Sequence, residues 1–291
     1  MTLHSFAKIN LSIHLLGKRP DGYHEIVTLM ETVNLADDLE ITGQEAGTTI
    51  TCSDPAVPTD ERNLAHRAAV LVRDRYGLGD RGVRIHIEKR IPVAAGLAGG
   101  SGNAAATLHG LNALWSLGLR KEDLMNLAGE LGSDVPFCLY GGVAVATGRG
   151  ERVVWLDAAG SRSYVLVCPP LAVTSGWAYS RWKLELTKDG SCINLVSSVM
   201  QAGDAGRLAS CLHNDLEPAV RAAYPEIDRA KGLLADAGLE GVLMSGSGPA
   251  VFGLAPDRTA AERIASDLRG RVEPSWRVFA VSSSPRRDAA V

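Results

Sequence analysis

The stretch Pro92–Ala105, PVAAGLAGGSGNAA, decides how this sequence is interpreted, because glycines and small residues crowd the point where a strand meets a helix. A basic run with strand character precedes it (Val83–Arg90), and a helical run follows (Ala104–Trp115). Glycine lets a backbone approach a ligand closely, and a helix N-terminus offers unpaired N–H donors with partial positive charge. The pattern therefore indicates a loop that binds phosphate.

Three kinds of glycine loop bind phosphate. A P-loop needs a lysine after its last glycine, and Gly96–Ser101 offers none. A dinucleotide fingerprint is met in form by Gly100, Gly102 and Ala105, but the acid that should end the next strand is missing, because 121–131 has a helical pattern. The third option is a loop that wraps a triphosphate with glycines and the helix start. For the loop alone, a glycine-rich turn without a ligand stays an alternative.

Composition excludes several classes of protein. The chain has 291 residues, 46% hydrophobic and 22% charged, which is typical of one large globular domain or two ordinary ones. A net charge of −3 favours neither nucleic acid nor anionic membrane as a partner, and no apolar run approaches the roughly 20 residues of a membrane span. The first residues do not resemble a signal peptide, so we expect a cytoplasmic protein. We expect unpaired thiols at its five cysteines: Cys52, Cys138, Cys168, Cys192 and Cys211.

Periodicity predicts an α+β fold. Alternation in residues 8–15 indicates a strand with one apolar and one polar face, and Tyr23–Val33 is predicted to pair with it as a hairpin. Irregular, polar sequence at 148–163 places a domain boundary there. Other strands are predicted at Asp38–Thr42, Thr48–Cys52, 83–87, 142–147, 164–168, 241–244, 250–254 and 276–282. Helices are predicted at Glu61–Tyr76 (capped by Asp60), Asn103–Ser116, 121–131, 176–183, 195–201, 205–212, 225–237 and 259–268.

The glycine loop has companions elsewhere in the chain. With Lys8–Asn10 upstream and Gly246–Phe252 downstream, it resembles the three motifs of the GHMP small-molecule kinases. The resemblance extends over essentially the whole chain, and Ala7–Ile26 and Leu131–Gly142 carry its narrower part. It implies a two-domain α+β fold: residues 1–155, similar to ribosomal protein S5 domain 2, carry the phosphate loop and the catalytic groups. A ferredoxin-like domain, residues 156–291, closes the substrate cleft.

The resemblance also implies an activity. It is transfer of the ATP γ-phosphate to the 2-hydroxyl of 4-diphosphocytidyl-2-C-methyl-D-erythritol, in the non-mevalonate isoprenoid pathway, with Mg²⁺ as cofactor. The expected partner is this cytidine diphosphate-linked polyol, with no nucleic acid and no membrane, and the expected assembly is a monomer or weak homodimer.

The resemblance assigns the phosphates to the glycine loop. The residues implied are Val93, Ala94, Ala95, Gly96, Leu97, Ala98, Gly99, Gly100, Ser101, Gly102 and Asn103. Alanines stand at 94, 95 and 98, where the family often has glycine, and these methyl groups are harmless if φ is negative there. Gly102 replaces a second serine, which leaves Ser101 as the main side-chain candidate for Mg²⁺.

Lys8 and Asp134 are the implied catalytic pair. Considered alone, Lys8 is typical of a solvated strand edge and Asp134 of a loop aspartate that caps backbone. The resemblance instead implies that Lys8 contacts Asp134 and the transferred phosphoryl group, while Asp134 lies beside the acceptor hydroxyl. Phosphoryl transfer through a loose transition state requires mainly alignment, so positioning by this pair ranks above full deprotonation of the alcohol.

The cytidine end of the acceptor site is implied at Asn10, Tyr23, His24 and Tyr179, where an aromatic ring stacks on cytosine and polar groups contact its edge. A hairpin packing role for Tyr23 stays open. The third motif, 246–248, is expected to support the phosphate loop and border the acceptor, although a plain β-turn also explains it.

Three other functions compete. The first is a sister kinase acting on mevalonate, phosphomevalonate, homoserine or a sugar. The second is a catalytically inactive relative that binds nucleotide as a regulator, and the third is a dinucleotide oxidoreductase. The Pro20–His24 run favours a cytidine acceptor, and the presence of Lys8 and Asp134 disfavours the inactive relative.

Overall fold

The computed structural model describes residues 1–183 and 192–286, without the side chains of Cys192 and Ala205. The strands are β1 (Thr2–Lys18), β2 (His24–Gln44), β3 (Thr48–Cys52), β4 (Gly82–Glu88), β5 (Val143–Gly148), β6 (Arg152–Leu156), β7 (Ser163–Cys168), β8 (His213–Asn214), β9 (Glu240–Met244), β10 (Val251–Ala255) and β11 (Arg277–Ser282). The helices are α1 (Leu64–Arg75), α2 (Gly99–Leu114), α3 (Lys121–Leu131), α4 (Val135–Tyr140), α5 (Ser175–Arg181), α6 (Cys192–Ala202), α7 (Ala205–Cys211), α8 (Glu217–Ala223), α9 (Pro225–Asp236) and α10 (Arg258–Arg269).

The first sheet is built on the long hairpin of β1 and β2. Its order is β3-β4-β2-β1-β8, and β5 pairs with the first part of β2 and with β6. The predicted hairpin is confirmed, but the prediction of a separate strand at Asp38–Thr42 is wrong. Residues 36–40 stay paired with the start of β1, so β2 runs through without a turn.

The second sheet, β11-β7-β10-β9, is antiparallel. All six residues of β7 are buried, since both of its faces are covered. Val165 and Val167 belong to the apolar core that contains α9 and α10, whereas Tyr164 and Leu166 share a core with Ile9 and Leu11 of β1. The core that contains Tyr164, Leu166, Ile9 and Leu11 therefore joins the two sheets, and it lies behind the glycine loop.

Three helix predictions need correction. The first helix begins at Leu64, where the Asn63 side chain accepts the Ala65 N–H at 2.8 Å, so Asn63 rather than Asp60 is its cap. The glycines of the loop form the first turn of α2, which therefore begins at Gly99 and not at 103. Residues 135–140, for which no helix was predicted, form α4, because a proline is well accommodated in the first turn of a helix.

Apart from β8, the strands of the first sheet end with β6 at Leu156, and the second sheet begins with β7 at Ser163. This change of sheet lies beside the predicted domain division after residue 155, which stays a prediction. Within 1–183 and 192–286, no helix combines the length and apolar character needed to cross a membrane. Among the described residues, Cys52, Cys138, Cys168 and Cys211 form no disulfide with one another, and the thiol of Cys192 lies outside the described side chains.

Candidate active site

The glycine loop ends at the N-terminus of α2. Gly99, Gly100 and Ser101 occupy the first turn, where backbone N–H groups have no partner within the helix. The first intrahelical bond runs from Gly102 N–H to the Ala98 carbonyl, at 2.8 Å. No acidic side chain stands in this turn. The sixteen-residue helix therefore directs N–H donors and the positive end of its dipole at one point, which suits a polyanion.

Two alanines of the loop adopt left-handed backbone. Ala94 has φ of 52° and Ala98 of 56°, so the condition of negative φ is not met at these two positions. The left-handed region costs a non-glycine residue roughly 1–2 kcal/mol. The loop is held in this form by contacts with distant segments: Lys8 N–H donates to the Leu97 carbonyl at 3.1 Å, and Ala250 N–H to the Ala95 carbonyl at 3.2 Å.

The glycine at 102 has a packing reason. A Cβ added there would lie 2.5 Å from Ser5 Oγ and 3.2 Å from the Phe6 carbonyl oxygen. The Ser5 hydroxyl thus occupies the space that a serine at 102 would need. β1 and α2 approach closely at this point, and the missing hydroxyl is a consequence of that approach.

Lys8 is buried, with 4% of its surface exposed, which rules out the alternative of a solvated edge charge. Its Nζ donates to Asn10 Oδ1 at 2.6 Å and to the Gly96 carbonyl at 3.0 Å, and it lies 3.5 Å from Asp134 Oδ2. A buried ammonium needs such partners to remain charged. The lysine therefore links the glycine loop to the carboxylate from a fixed position.

Asp134 stands at the start of α4, but its side chain makes no capping bond. The carboxylate is 36% exposed and lines the cleft. The charge of Asp134 also acts on Tyr179. Burial raises the pKa of the Tyr179 hydroxyl, and the negative charge of Asp134 raises this pKa further. Tyr179 is therefore protonated at neutral pH, and its hydroxyl can donate a hydrogen bond.

An aromatic group also belongs to the cleft, where His24 and Tyr179 are lining residues. The ring of His24 is 5.4 Å from that of Tyr179 and 5.6 Å from that of Trp182. Burial lowers the pKa of His24, and the charge of Lys18 lowers it further, so the imidazole is neutral at pH 7. Tyr23 is 51% exposed, which leaves a ring surface open to a ligand.

One cleft of about 900 Å³ connects these parts. Every predicted site residue lines it except Leu97 and Gly102, which are buried beneath the loop. The amide of Asn10 is already bonded on both sides, to Lys8 and to Thr28 Oγ1 at 2.9 Å, so it supports Lys8 as well as bordering the cleft. The individual roles of these residues stay predictions.

Comparison with known proteins identifies the family. The model of the GHMP kinases N terminal domain matches residues 63–142, and that of the GHMP kinases C terminal domain matches 196–273. The chain belongs to the GHMP kinase family. Among curated relatives of this GHMP kinase, the 4-diphosphocytidyl-2-C-methyl-D-erythritol kinase of Gloeobacter violaceus is 46% identical over 283 residues, 95% of this chain and 92% of that protein. The enzyme of the same name from Shouchella clausii is 43% identical over 279 residues, 96% of this chain and 93% of that one.

Solved structures agree with the GHMP kinase fold. A crystal structure of 4-(cytidine 5'-diphospho)-2C-methyl-D-erythritol kinase superposes with a TM-score of 0.81 at 35% identity, covering 98% of this chain and 99% of that one. Homoserine kinase from Cytophaga hutchinsonii superposes with a TM-score of 0.75 at 20% identity, covering 98% and 95%, which supports the fold alone. The predicted mixed fold of N- and C-terminal GHMP kinase domains is confirmed.

A buried ion pair that was not predicted from the sequence lies under the loop of this GHMP kinase. Asp37 is fully buried and accepts hydrogen bonds from Arg90 N–H and Ile91 N–H at 2.8 Å each, and from Lys89 Nζ at 2.9 Å. A Cβ added at Gly99 would lie 3.1 Å from Lys89 Nζ, so this cation stands beside the helix start. Lys89 stands at the end of a strand that leads into a glycine loop, and this position was the sequence signal from which the cation could have been predicted.

Arg149 was also missed, and it supports Tyr23. Its guanidinium carbon lies 5.2 Å from the Tyr23 ring centroid, and Nη2 donates to the Gly129 carbonyl at 2.8 Å. The arginine covers part of the Tyr23 ring and places a positive charge in the cleft. Local sequence gives no signal for this contact, because it joins the β1–β2 turn to the β5–β6 turn.

Arg149→Ala should raise KM for the acceptor about fivefold, with kcat and KM for ATP little changed. A cation–π contact contributes about 1 kcal/mol at a partly exposed site, and this energy corresponds to that factor. Steady-state kinetics with each substrate varied in turn measures the effect. Arg152→Ala is the matched control, since the Arg152 side chain is 70% exposed and does not line the cleft. A higher KM for ATP in the Arg149 variant would contradict its placement at the acceptor end.

Proposed function

We propose that this chain transfers the γ-phosphate of ATP to the 2-hydroxyl of 4-diphosphocytidyl-2-C-methyl-D-erythritol. The observation that carries the proposal is the connection, in one cleft, of a helix N-terminus for phosphate, the Lys8–Asp134 pair and the aromatic group around His24. Curated relatives named for this kinase, 43–46% identical over more than nine-tenths of the chain, support the choice of acceptor.

The charge of the cleft fits two phosphorylated substrates. Five cationic side chains and two carboxylates line it: Lys8, Lys18, Arg62, Lys89 and Arg149, against Asp21 and Asp134. The chain as a whole carries a net charge of −3, so positive charge is concentrated here. A triphosphate and a diphosphate brought together in one cleft need such compensation.

The reaction needs an alcohol aligned with the γ-phosphorus. The alcohol oxygen forms a bond to phosphorus, the bond from phosphorus to the β–γ bridging oxygen breaks, and ADP leaves. The hydroxyl proton passes to the Asp134 carboxylate. Lys8, 3.5 Å from this carboxylate, offsets its charge and stabilises the charge on the transferred group. The acceptor is a tertiary alcohol, which is hindered and weakly acidic, so alignment by the pair dominates over prior deprotonation.

The residues at the helix start fit a magnesium ion. Asn103 is buried and lines the cleft, and its Oδ1 has no hydrogen-bond partner among the described residues. An amide oxygen and a hydroxyl are ligands that Mg²⁺ accepts, together with phosphate oxygens and water. Asn103 and Ser101 would therefore hold the ion. Mg²⁺ supplies charge neutralisation on the phosphates when bound.

At the acceptor end, cytosine stacks on Tyr23, and Tyr179 and His24 contact the base. His24 is neutral, so one ring nitrogen donates and the other accepts a hydrogen bond, which suits the edge of a base.

We also propose that the domain division lies at 155/156 and that the protein is cytoplasmic, where ATP is available. The proposed assembly is a monomer or weak homodimer, which sedimentation at several protein concentrations tests.

The proposed function is tested by presenting ATP with a panel of alcohols. The cytidine diphosphate-linked methylerythritol should be phosphorylated, whereas mevalonate, phosphomevalonate and homoserine should not. Product analysis by phosphorus NMR identifies the 2-phosphate. Phosphorylation of homoserine or mevalonate without the cytidine compound would identify a sister kinase. ATP binding with no phosphorylated alcohol would favour a regulator.

A further inference from the structure

A second cluster of ligating side chains lies outside the cleft, on the parallel pair β1–β8. Ser12 pairs with His213 and Ile13 with Asn214, so alternate residues Ser12, His14, His213 and Asp215 share one face. His14, His213 and Asp215 each place one ligand atom within 4.8 Å of the others. His14 and Asp215 are buried, and His213 reaches solvent with 37% of its side chain exposed.

The two buried members are held in orientation. Asp215 Oδ2 accepts the Leu15 N–H at 2.9 Å, while its Oδ1 lies 2.7 Å from His213 Nε2. His14 Nε2 lies 2.8 Å from the hydroxyl of Ser12. Bonds of this kind, to the remaining atoms of histidine and carboxylate ligands, orient metal ligands and fix the tautomer of the imidazole.

We propose that His14, His213 and Asp215 form a binding site for a divalent transition metal, with Zn²⁺ the preferred ion. Two imidazoles and one carboxylate are a ligand set that binds Zn²⁺ and leaves a position for water. Imidazole ligands suit zinc, copper and nickel, whereas Mg²⁺ prefers oxygen, so this site is separate from the magnesium chemistry of the kinase.

Binding requires a small movement of His213. The donors of a tetrahedral zinc ion lie about 3.3 Å apart, so atoms that lie within 4.8 Å of one another need to approach by no more than about 1.5 Å. In the structure His213 stacks on His14, with ring centroids 4.7 Å apart and an interplanar angle of 14°. The exposed ring turns from this position and directs its nitrogen that carries no proton at the metal, so that Asp215 exchanges its hydrogen bond to His213 for a bond to the ion.

The proposed metal site lies where β1 meets the segment that holds the third motif. The neighbour of His213, Asn214, donates from Nδ2 to the carbonyls of Met244 and Gly246, both at 2.8 Å. A metal on the cluster therefore ties β1, which carries Lys8, to the segment that holds the third motif. We expect it to stabilise this junction without taking part in phosphoryl transfer. The proposal does not depend on the proposed function.

The test uses the full-length chain, freed of metal with a chelator and then titrated with Co²⁺ and Zn²⁺. We expect one Co²⁺ per chain, with visible bands of nitrogen and oxygen ligation that Zn²⁺ abolishes, and a higher melting temperature with Zn²⁺. His213→Ala should lose this binding. His213→Gln can still donate to Asp215 but lacks the imidazole, so a folded, non-binding Gln variant separates loss of the ligand from loss of the fold. Ser12→Ala should weaken binding about tenfold.

His86 provides a matched control. Its Nε2 lies 4.0 Å from Glu88 Oε2 at an exposed position on β4, so it is another histidine beside a carboxylate. His86→Ala should bind Co²⁺ like the parent chain. The proposal is overturned by absence of stoichiometric binding at micromolar metal, by equal binding in His213→Gln, or by thiolate bands that assign the metal to a cysteine. Each readout is independent of ATP and of any acceptor.

Discussion

Asp134→Asn should lower kcat about a thousandfold, within the range expected for loss of a general base, while the affinity for ATP stays nearly unchanged. Asparagine has the same shape but cannot take the hydroxyl proton or balance the ammonium of Lys8, 3.5 Å away. The phosphate donors lie on α2, so the nucleotide loses no contact. Steady-state kinetics gives kcat, and calorimetry with an unreactive ATP analogue gives the affinity.

Two further variants show whether the pair acts as a unit. Lys8→Met should also reduce kcat by a large factor, and the double variant should lose little more than either single one, because groups that act together are not additive. Asp21→Asn is the control: Asp21 is another carboxylate of the cleft, but its Oδ1 accepts the Tyr23 N–H at 3.1 Å, at the acceptor end. Its kcat should stay close to that of the parent. If kcat of Asp134→Asn were unchanged, Asp134 would have no part in the chemistry.

Most helices and strands were predicted well, because the periodicity that identifies each of them lies within its own residues. Alternation located β1, and the helical period of Lys121–Leu131 gave the bounds of α3 as they are observed. Errors occur where distant pairing overrides a local signal. Asp38–Thr42 was predicted as an isolated strand, yet its pairing with β4 and β1 makes it the end of β2.

The residues of the candidate site were harder to predict from local sequence patterns than the helices and strands. Lys8, considered alone, is typical of a solvated edge, and only the family motifs associated it with Asp134. The fold buries it because β1 lies in the centre of a sheet, with Gly96 and Ser245 packed across it. Arg149 could not be predicted at all, since the segments that bring it to Tyr23 are adjacent only in the folded chain.

The loop alanines show the same limit. A sequence gives the residue type but not φ, so it could only state the condition that the methyl groups at 94 and 98 are harmless if φ is negative, and this condition is not met. The loop instead closes on β1 and on the third motif, and those contacts impose the left-handed turns. Predicting these left-handed turns requires knowing where the loop, β1 and the third motif lie relative to one another. Local propensity carries no information on these positions.

Gly96→Ala should lower the free energy of unfolding by about 3 kcal/mol or more and greatly reduce kcat. Gly96 has φ of +74°, which an alanine adopts at a cost of roughly 1–2 kcal/mol. The new Cβ would also overlap the Ser245 carbonyl oxygen and lie 3.0 Å from the Gly248 nitrogen. These are backbone atoms, and Ser245 N–H is bonded to the Ala250 carbonyl at 2.9 Å, so the turn cannot move aside cheaply. Urea denaturation and kcat of the folded variant measure the two effects.

The loss of activity has its own cause in the same residue. The Gly96 carbonyl accepts from Lys8 Nζ and, at 3.1 Å, from Ser245 Oγ, so displacing it moves the anchor of the catalytic lysine. Gly100→Ala is the contrasting control, because the nearest atom to its added Cβ is Leu64 Cδ1 at 3.8 Å. Alanine within a helix is favoured over glycine by about 0.5–1 kcal/mol, so this variant should gain stability. Gly100 lines the cleft, so the added methyl group should raise KM for ATP. Equal stability of Gly96→Ala and the parent would mean that the third motif yields freely, and that it does not hold the phosphate loop in place.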